Sequence, residues 1–143
     1  MPKTFHLKLI TPNAIVLDTD VEQIVARSTE GEIGVLPDHI PLITPLSPAP
    51  LKYWKDGNTN IAAVLGGMLE VSKEGVTIIS DHAALAHDID TVIAEKEKEL
   101  AEAKLAQKKD KVDVQKAEME LTRLLVMLEA VELARKLKNT RVG

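Results

Sequence analysis

Between Asp88 and Val142 the chain contains neither proline nor glycine, whereas all seven prolines lie at or before Pro50 and every glycine except Gly143 lies at or before Gly75. Proline removes a backbone donor and collides with the preceding helical turn, and a glycine in a helix costs about 1 kcal/mol relative to alanine. A stretch free of both runs as helix without a break, and a stretch full of both is cut into short pieces. The sequence therefore divides near residue 87 into a module 1–87 and an unlike module 88–143.

The first module carries period-two patterning. Phe5-His6-Leu7-Lys8-Leu9 alternates apolar and polar side chains, as a half-buried strand does. Thr11-Pro12-Asn13 is a turn, after which Val21 to Ala26 resumes a β-branched run. Asp56-Gly57-Asn58 has the chemistry of a hairpin turn that needs positive φ. Lys73-Glu74-Gly75 separates Met68–Val71 from Val76–Ile79 in the same way. Short strands with turns every 8–12 residues predict an antiparallel β-sandwich or barrel. Only Phe5, Tyr53 and Trp54 are aromatic, so its core is aliphatic.

Residues Glu30 to Leu42 read as a stiff loop, because Gly31, Gly34, Pro37 and Pro41 punctuate it. Two readings fit: a connector rich in breakers, or a docking loop that displays Glu32, Asp38 and His39.

The second module reads as an antiparallel two-helix hairpin. Asp88 or Asp90 suits the cap of the first helix, and Asp110 or Asp113 that of the second. The polar stretch Gln107–Asp113 is the turn. On the second helix Val114, Ala117, Leu121, Leu124, Leu128 and Val131 form a regular heptad seam. Ile89, Ile93, Leu100 and Ala103 are its expected partners on the first. Roughly ten apolar side chains at about 1–2 kcal/mol each barely offset the ordering of the hairpin, so it must lean on the β module or on another protein. Two arrangements of similar free energy are expected. Arg135, Lys136, Lys138 and Arg141 form a basic tip, suited either to the helix dipole or to an acidic protein surface.

Composition excludes several functions. The chain has no cysteine, so thiolate chemistry, disulfides and zinc–sulfur sites are absent. Its net charge of −4 argues against general nucleic-acid binding. No run of 18 apolar residues spans a bilayer, and Met1–Phe5 enters a strand pattern without a signal segment. Asp38 beside His39 is a poor acid–base pair, since adjacent loop residues rarely face one another. His82 and His87, five apart, are not on one helix face as a metal pair would be. Gly66-Gly67 lacks the lysine of a phosphate loop, and Gly31-x-x-Gly34 is too short for a dinucleotide fingerprint. The chain is therefore expected to be an adaptor and not an enzyme.

The stretch Gly31-Glu32-Ile33-Gly34-Val35-Leu36-Pro37-Asp38-His39-Ile40-Pro41-Leu42, the run Gly66-Gly67-Met68-Leu69-Glu70-Val71, and Asp88-Ile89-Asp90 opening the hairpin resemble the epsilon subunits of bacterial and chloroplast F-type ATP synthases. The resemblance covers nearly the whole chain. It implies a sandwich of about ten strands on a central stalk, touching the gamma subunit and the c-ring, with a regulatory hairpin that restrains ATP hydrolysis when extended toward the alpha and beta subunits. By the same resemblance Glu32 and His39 face the c-ring, and Leu42 and Thr44 face gamma. Arg123, Arg135 and Lys136, with Lys138, face acidic surfaces of beta. The implied location is peripheral, on the cytoplasmic face of the bacterial inner membrane or the stromal face of the thylakoid, with membrane contact only through the c-ring. Relatives that bind ATP in the hairpin carry Ile-Asp-x-x-Arg-Ala and two arginines on the second helix. Here Asp90 and Arg123 match, but Ile93 and Met127 replace two arginines, so no nucleotide or other cofactor is expected.

Overall fold

A computed structural model describes residues 3–107 and 111–140, with side chains as far as Leu137. Eight strands come first: β1 (Phe5–Thr11), β2 (Ala14–Val21), β3 (Gln23–Ser28), β4 (Gly31–Val35), β5 (Leu42–Lys55), β6 (Asn58–Ser72), β7 (Gly75–Ile79) and β8 (Ala83–Leu85). A single 3₁₀ turn, Ala86–Asp88, leads to helices α1 (Thr91–Gln107) and α2 (Lys111–Thr140). The strand order is β2-β1-β7-β6-β5-β3-β4, with β8 on the free side of the first half of β6.

The expected turns form for the expected reason. Asp56 and Gly57 both have positive φ, 52° and 76°, as the tight β5–β6 hairpin requires. Gly75 closes the β6–β7 hairpin at φ 133°, where a Cβ would stand 2.4 Å from the His6 carbonyl oxygen. Two expectations need correction. The sheet is not wholly antiparallel, because β1 and β7 pair in parallel. The stretch 30–42 is not all loop: Gly31–Val35 pairs with β3, since Ile33 and Val35 alternate toward the core, and only Glu30 and residues 36–41 lie outside strands.

β5 and β6 are long enough to serve two layers, and both change phase at one place. Leu46 pairs with Gly67 and Pro48 with Leu65, so the register is unchanged across a break where Ser47 and Gly66, one residue on each strand, drop out of the pairing. Before this break, Ala62 and Val64 of β6 point to the core; after it, Leu69 and Val71 do. Gly67 makes this possible. It sits at φ 117°, and a Cβ there would lie 2.0 Å from the Ile79 carbonyl oxygen. Counting β5 and β6 in each layer, the eight strands provide ten segments, five per layer. Between the layers lie Leu7, Leu9, Leu69, Val76 and Ile78 from one and Ile24, Leu51, Tyr53, Ala62 and Val64 from the other.

The hairpin docks on one outer face. Helix α2 rests on Ile61, Ala63 and Leu65 of β6 through Val126, Met127, Ala130, Leu133, Ala134 and Leu137. Its other side carries the expected seam, with Leu124 fully buried and Leu121 and Leu128 beside it. Helix α2 is thus a middle layer between the sandwich and α1. The expected face of α1 is the wrong one. Ile93 and Leu100 are 55% and 62% exposed and Ala103 is exposed, while Ala94 and Ala101 are buried against Leu124. Alanines let two helices approach closely, which larger branched side chains at those positions would prevent. Ile89 lies before α1 and packs with the sandwich-facing cluster.

Candidate functional site

Because α2 covers one outer face of the sandwich, the opposite outer face is the larger exposed sheet surface. Its strand register lines up one lateral row: Ile15 on β2 beside Ile10 on β1, then Ile79 on β7, Met68 on β6 and Pro45 on β5. Ile15 and Ile79 are 59% and 57% exposed, and Met68 and Pro45 are also open. The next row, two residues along each strand and three along β2, where the register shifts beside Leu9 and Ile10, is Asp18, Lys8, Thr77, Glu70 and Ile43, the last 67% exposed. An apolar row of five strands with a charged border is an arrangement suited to protein contact. Sequence reasoning did not find it. The signal was the broken alternation at Ile78-Ile79 and Ile10, where an apolar side chain occupies the polar phase.

A third row carries a charge cluster. His6 on β1 stands opposite Asp20 on β2, its Nδ1 2.9 Å from Asp20 Oδ1, and its Nε2 contacts Asp18 Oδ1. Hydrogen bonding to Asp20, then to Asp18, holds its pKa above the usual 6.5. Tyr53 is shifted up as well, chiefly by burial and secondarily by the Asp88 carboxylate.

The residues singled out by sequence fall into separate places. Glu32 is exposed on β4, directly across the ladder from Arg27. His39 lies in the loop between β4 and β5, where its Nδ1–H donates to the Ile40 carbonyl at 2.7 Å. Asp38, at φ 65°, pairs with Lys3 at 3.1 Å, so it does not serve His39 as an acid–base partner. Leu42 packs against the sandwich core and Thr44 is half-buried, while their neighbours Ile43 and Pro45 carry the exposed surface.

On the hairpin, Asp90 caps α1: its Oδ1 accepts from Val92 N at 3.0 Å and Ile93 N at 3.2 Å. Arg123 bridges the helices, 3.5 Å from Glu97 of α1 and 3.9 Å from Glu120, and also points to Met127 Sδ. Beside it, between α2 and β6–β8, is a cavity of about 110 Å³ lined by Ala63, Leu65, His82, Ala84, Arg123 and Met127. Ligand pockets run to several hundred Å³. Arg135 and Lys136 are exposed near the end of α2; the side chain of Lys138 and the whole of Arg141 fall outside the described residues, as does Asp110. His82 and His87 do not form a pair: His87 Nε2 is 3.4 Å from Asp88, and the His82 carbonyl accepts from Ser80 Oγ at 3.0 Å.

Comparison with known proteins agrees with this two-part build. A family model described as the ATP synthase delta/epsilon chain β-sandwich domain matches residues 4–86, and one described as the long α-helix domain matches 87–132. An ATP synthase epsilon chain of Caldanaerobacter subterraneus is 45% identical over 130 residues, covering 90% of this chain and 94% of that one. One from Nitratidesulfovibrio vulgaris is 42% identical over 128 residues, covering 90% and 96%. Among solved structures, a chain of the Euglena gracilis mitochondrial ATP synthase superposes with a TM-score of 0.72 at 28% identity, covering 94% of this chain and 82% of that one. A chain from the central stalk and c-ring of the Tetrahymena thermophila enzyme shares the fold, with a TM-score of 0.60 at 14% identity over 91% and 98%. With both halves matched in order and the relatives aligned over nearly their full lengths, the chain belongs to the ATP synthase delta/epsilon family, and its similar curated relatives are epsilon chains.

Proposed function

We propose that this chain is a non-catalytic rotor subunit of the central stalk, gripping the gamma subunit and the c-ring during proton-driven ATP synthesis and restraining ATP hydrolysis through its hairpin. The observation that carries the reading is the apolar row Ile15–Ile10–Ile79–Met68–Pro45 on the face away from the hairpin. Torque passes through a clamp only when its contact surface is stiff, and this row is built on five strands joined by ladder hydrogen bonds. The shaft partner, gamma, takes this face. Ile43 and Pro45 extend it next to Leu42 and Thr44. Glu32 and His39 lie at the β4 and Leu36–Pro41 end, where exposed Leu36 and Ile40 accompany them, and this end meets the c-ring. No described helix is long and apolar enough to cross a membrane, so membrane attachment runs through the ring.

The restraint works through α2. Its sandwich-facing stripe, Val126–Ala130–Leu133–Leu137, can exchange the sheet for another apolar surface without unfolding the helix, and then Arg123, Arg135 and Lys136 meet acidic groups on the alpha and beta subunits. Nucleotide binding by the hairpin is absent or weak: Asp90 is spent on a cap, Arg123 is held by two glutamates, and Ile93 and Met127 offer no donors. Calorimetry giving micromolar ATP affinity overturns that part.

The test of the main reading is Ile79→Glu, alone and with Met68→Glu. Each variant should keep its fold, since both side chains are exposed, yet lose co-purification with gamma. Retention of gamma by the double variant sinks the docking assignment.

A further inference from the structure

The His6 cluster lies on the uncovered face, two rows from the apolar row, and the proposed contact with gamma does not account for it. Its geometry dictates a charge state. Each ring nitrogen faces a carboxylate oxygen, Nδ1 toward Asp20 and Nε2 toward Asp18. Carboxylates only accept, and a neutral imidazole has one donor. Both contacts hold together only for the imidazolium. When the proton leaves, one ring nitrogen turns a lone pair toward a carboxylate, and that contact must open.

We propose that His6 is a proton-operated clip whose release turns the rim of the uncovered face acidic and strengthens its hold on a basic patch of the stalk partner. This rests on the docking reading above. The charges around the ring set the sign. Asp18 and Asp20 come from β2, Lys8 from β1, and Lys73 and Glu74 from the turn before β7; Asp38, already paired with Lys3, and His39 line one surface groove with His6 and Asp20. With His6 charged, these groups, His39 aside, balance. With His6 neutral they carry one net negative charge, and Glu70 in the neighbouring row adds another. Asp18 is the released group nearest the apolar row, which lies beside its own row. A surface that gains negative charge as pH rises is complementary to a lysine- or arginine-bearing edge.

The experiment uses the full chain and its own gamma subunit. Nuclear magnetic resonance of the histidine ring nitrogens, with His6 assigned through His6→Gln, should show both nitrogens protonated at the acidic end of the titration and a midpoint above that of a free imidazole. A midpoint at or below the ordinary value overturns the clip. Binding to gamma, read at pH 6 and pH 8.5 in low salt, should be about threefold tighter at the higher pH, the effect of one unit charge about 7 Å from a basic side chain in water. The difference should shrink at high salt and disappear in His6→Gln. An equal pH dependence in wild type and His6→Gln, or tighter binding at pH 6, refutes the gate. No binding at any pH refutes the docking reading and the gate with it, while the ring titration still decides the clip.

Discussion

Replacing Gly67 with alanine is the most searching perturbation of this fold, because one glycine sets the phase of both outer faces. Its φ of 117° lies where L-residues scarcely go, a strain of about 1–3 kcal/mol. The added Cβ would stand 2.0 Å from the Ile79 carbonyl oxygen, 2.9 Å from its carbon and 3.0 Å from Ser80 Cα. All three are backbone atoms, so no side chain can rotate out of the way. The chain between Ile79 and Ser80 must move by more than about 1 Å, which disrupts the Met68–Ile79 pairing and costs about 1–3 kcal/mol for a ladder group left unsatisfied. The total is about 2–6 kcal/mol out of the 5–15 kcal/mol typical of a whole domain. In urea, with a slope of about 1–3 kcal/mol per molar, the midpoint should fall by about 2 M. Gly57→Ala is the control. Gly57 also has positive φ, 76°, but a Cβ there meets nothing within 4 Å, so only about 1–2 kcal/mol is expected. If the two variants lose stability equally, the close approach at Ile79 is not what fixes the phase change.

Three further outcomes are expected. Leu124→Ala removes a large side chain fully buried between the helices and should cost about 2–4 kcal/mol of hairpin pairing, seen as protease cleavage within α1 while the sandwich resists. A chain ending after Ala86 should keep the sandwich fold, assemble with gamma and support ATP synthesis while basal hydrolysis rises; hydrogen exchange at Leu9, Leu69 and Ile78 should stay as slow as in the full chain. His6 makes stability depend on pH: its pKa is raised in the folded state, so its contribution is complete below about pH 6.5 and fades as pH climbs through the folded value. Urea midpoints of wild type and His6→Gln should therefore converge between pH 6 and pH 8.5.

What could be read from residues alone followed a physical divide between local and distant causes. The break near residue 87, the Asp56-Gly57 turn and the Asp90 cap are local: proline, glycine and a capping carboxylate act on their own neighbours. The exposed face of the sandwich was not legible, because its row depends on register across five strands and on a phase change at Ser47 and Gly66 that no single strand reveals. The α1 face was misassigned for a related reason. Counting apolar strength favours Ile93 and Leu100, but packing against Leu124 is decided by size, and Ala94 and Ala101 are the residues small enough for close contact. Leu42 and Thr44 stand one place off the outward phase that Ile43 and Pro45 occupy. The seam on α2 was half the story, since a second stripe on the other side of the helix is invisible until the sheet beneath it is known.

The phase change in β5 and β6 gives one small sandwich two separate outer surfaces. Along β6, Ile61, Ala63 and Leu65 form the seat of α2, and three residues later Met68 emerges on the opposite outer face. Were β6 of constant phase, odd-numbered side chains would continue outward and Leu69 and Val71 could not enter the core; without Gly66 and Gly67, then, only one of these two surfaces could exist. The two surfaces share a strand but not a side, and the close-packed core of Leu9, Leu69, Ile78, Ile24, Leu51 and Val64 stands between them. Such a core resists deformation, so lifting α2 from its seat leaves the row Ile10–Ile79–Met68 in place. A hairpin that leaves its seat is then compatible with an uncovered face that keeps its shape, as the function proposed above requires.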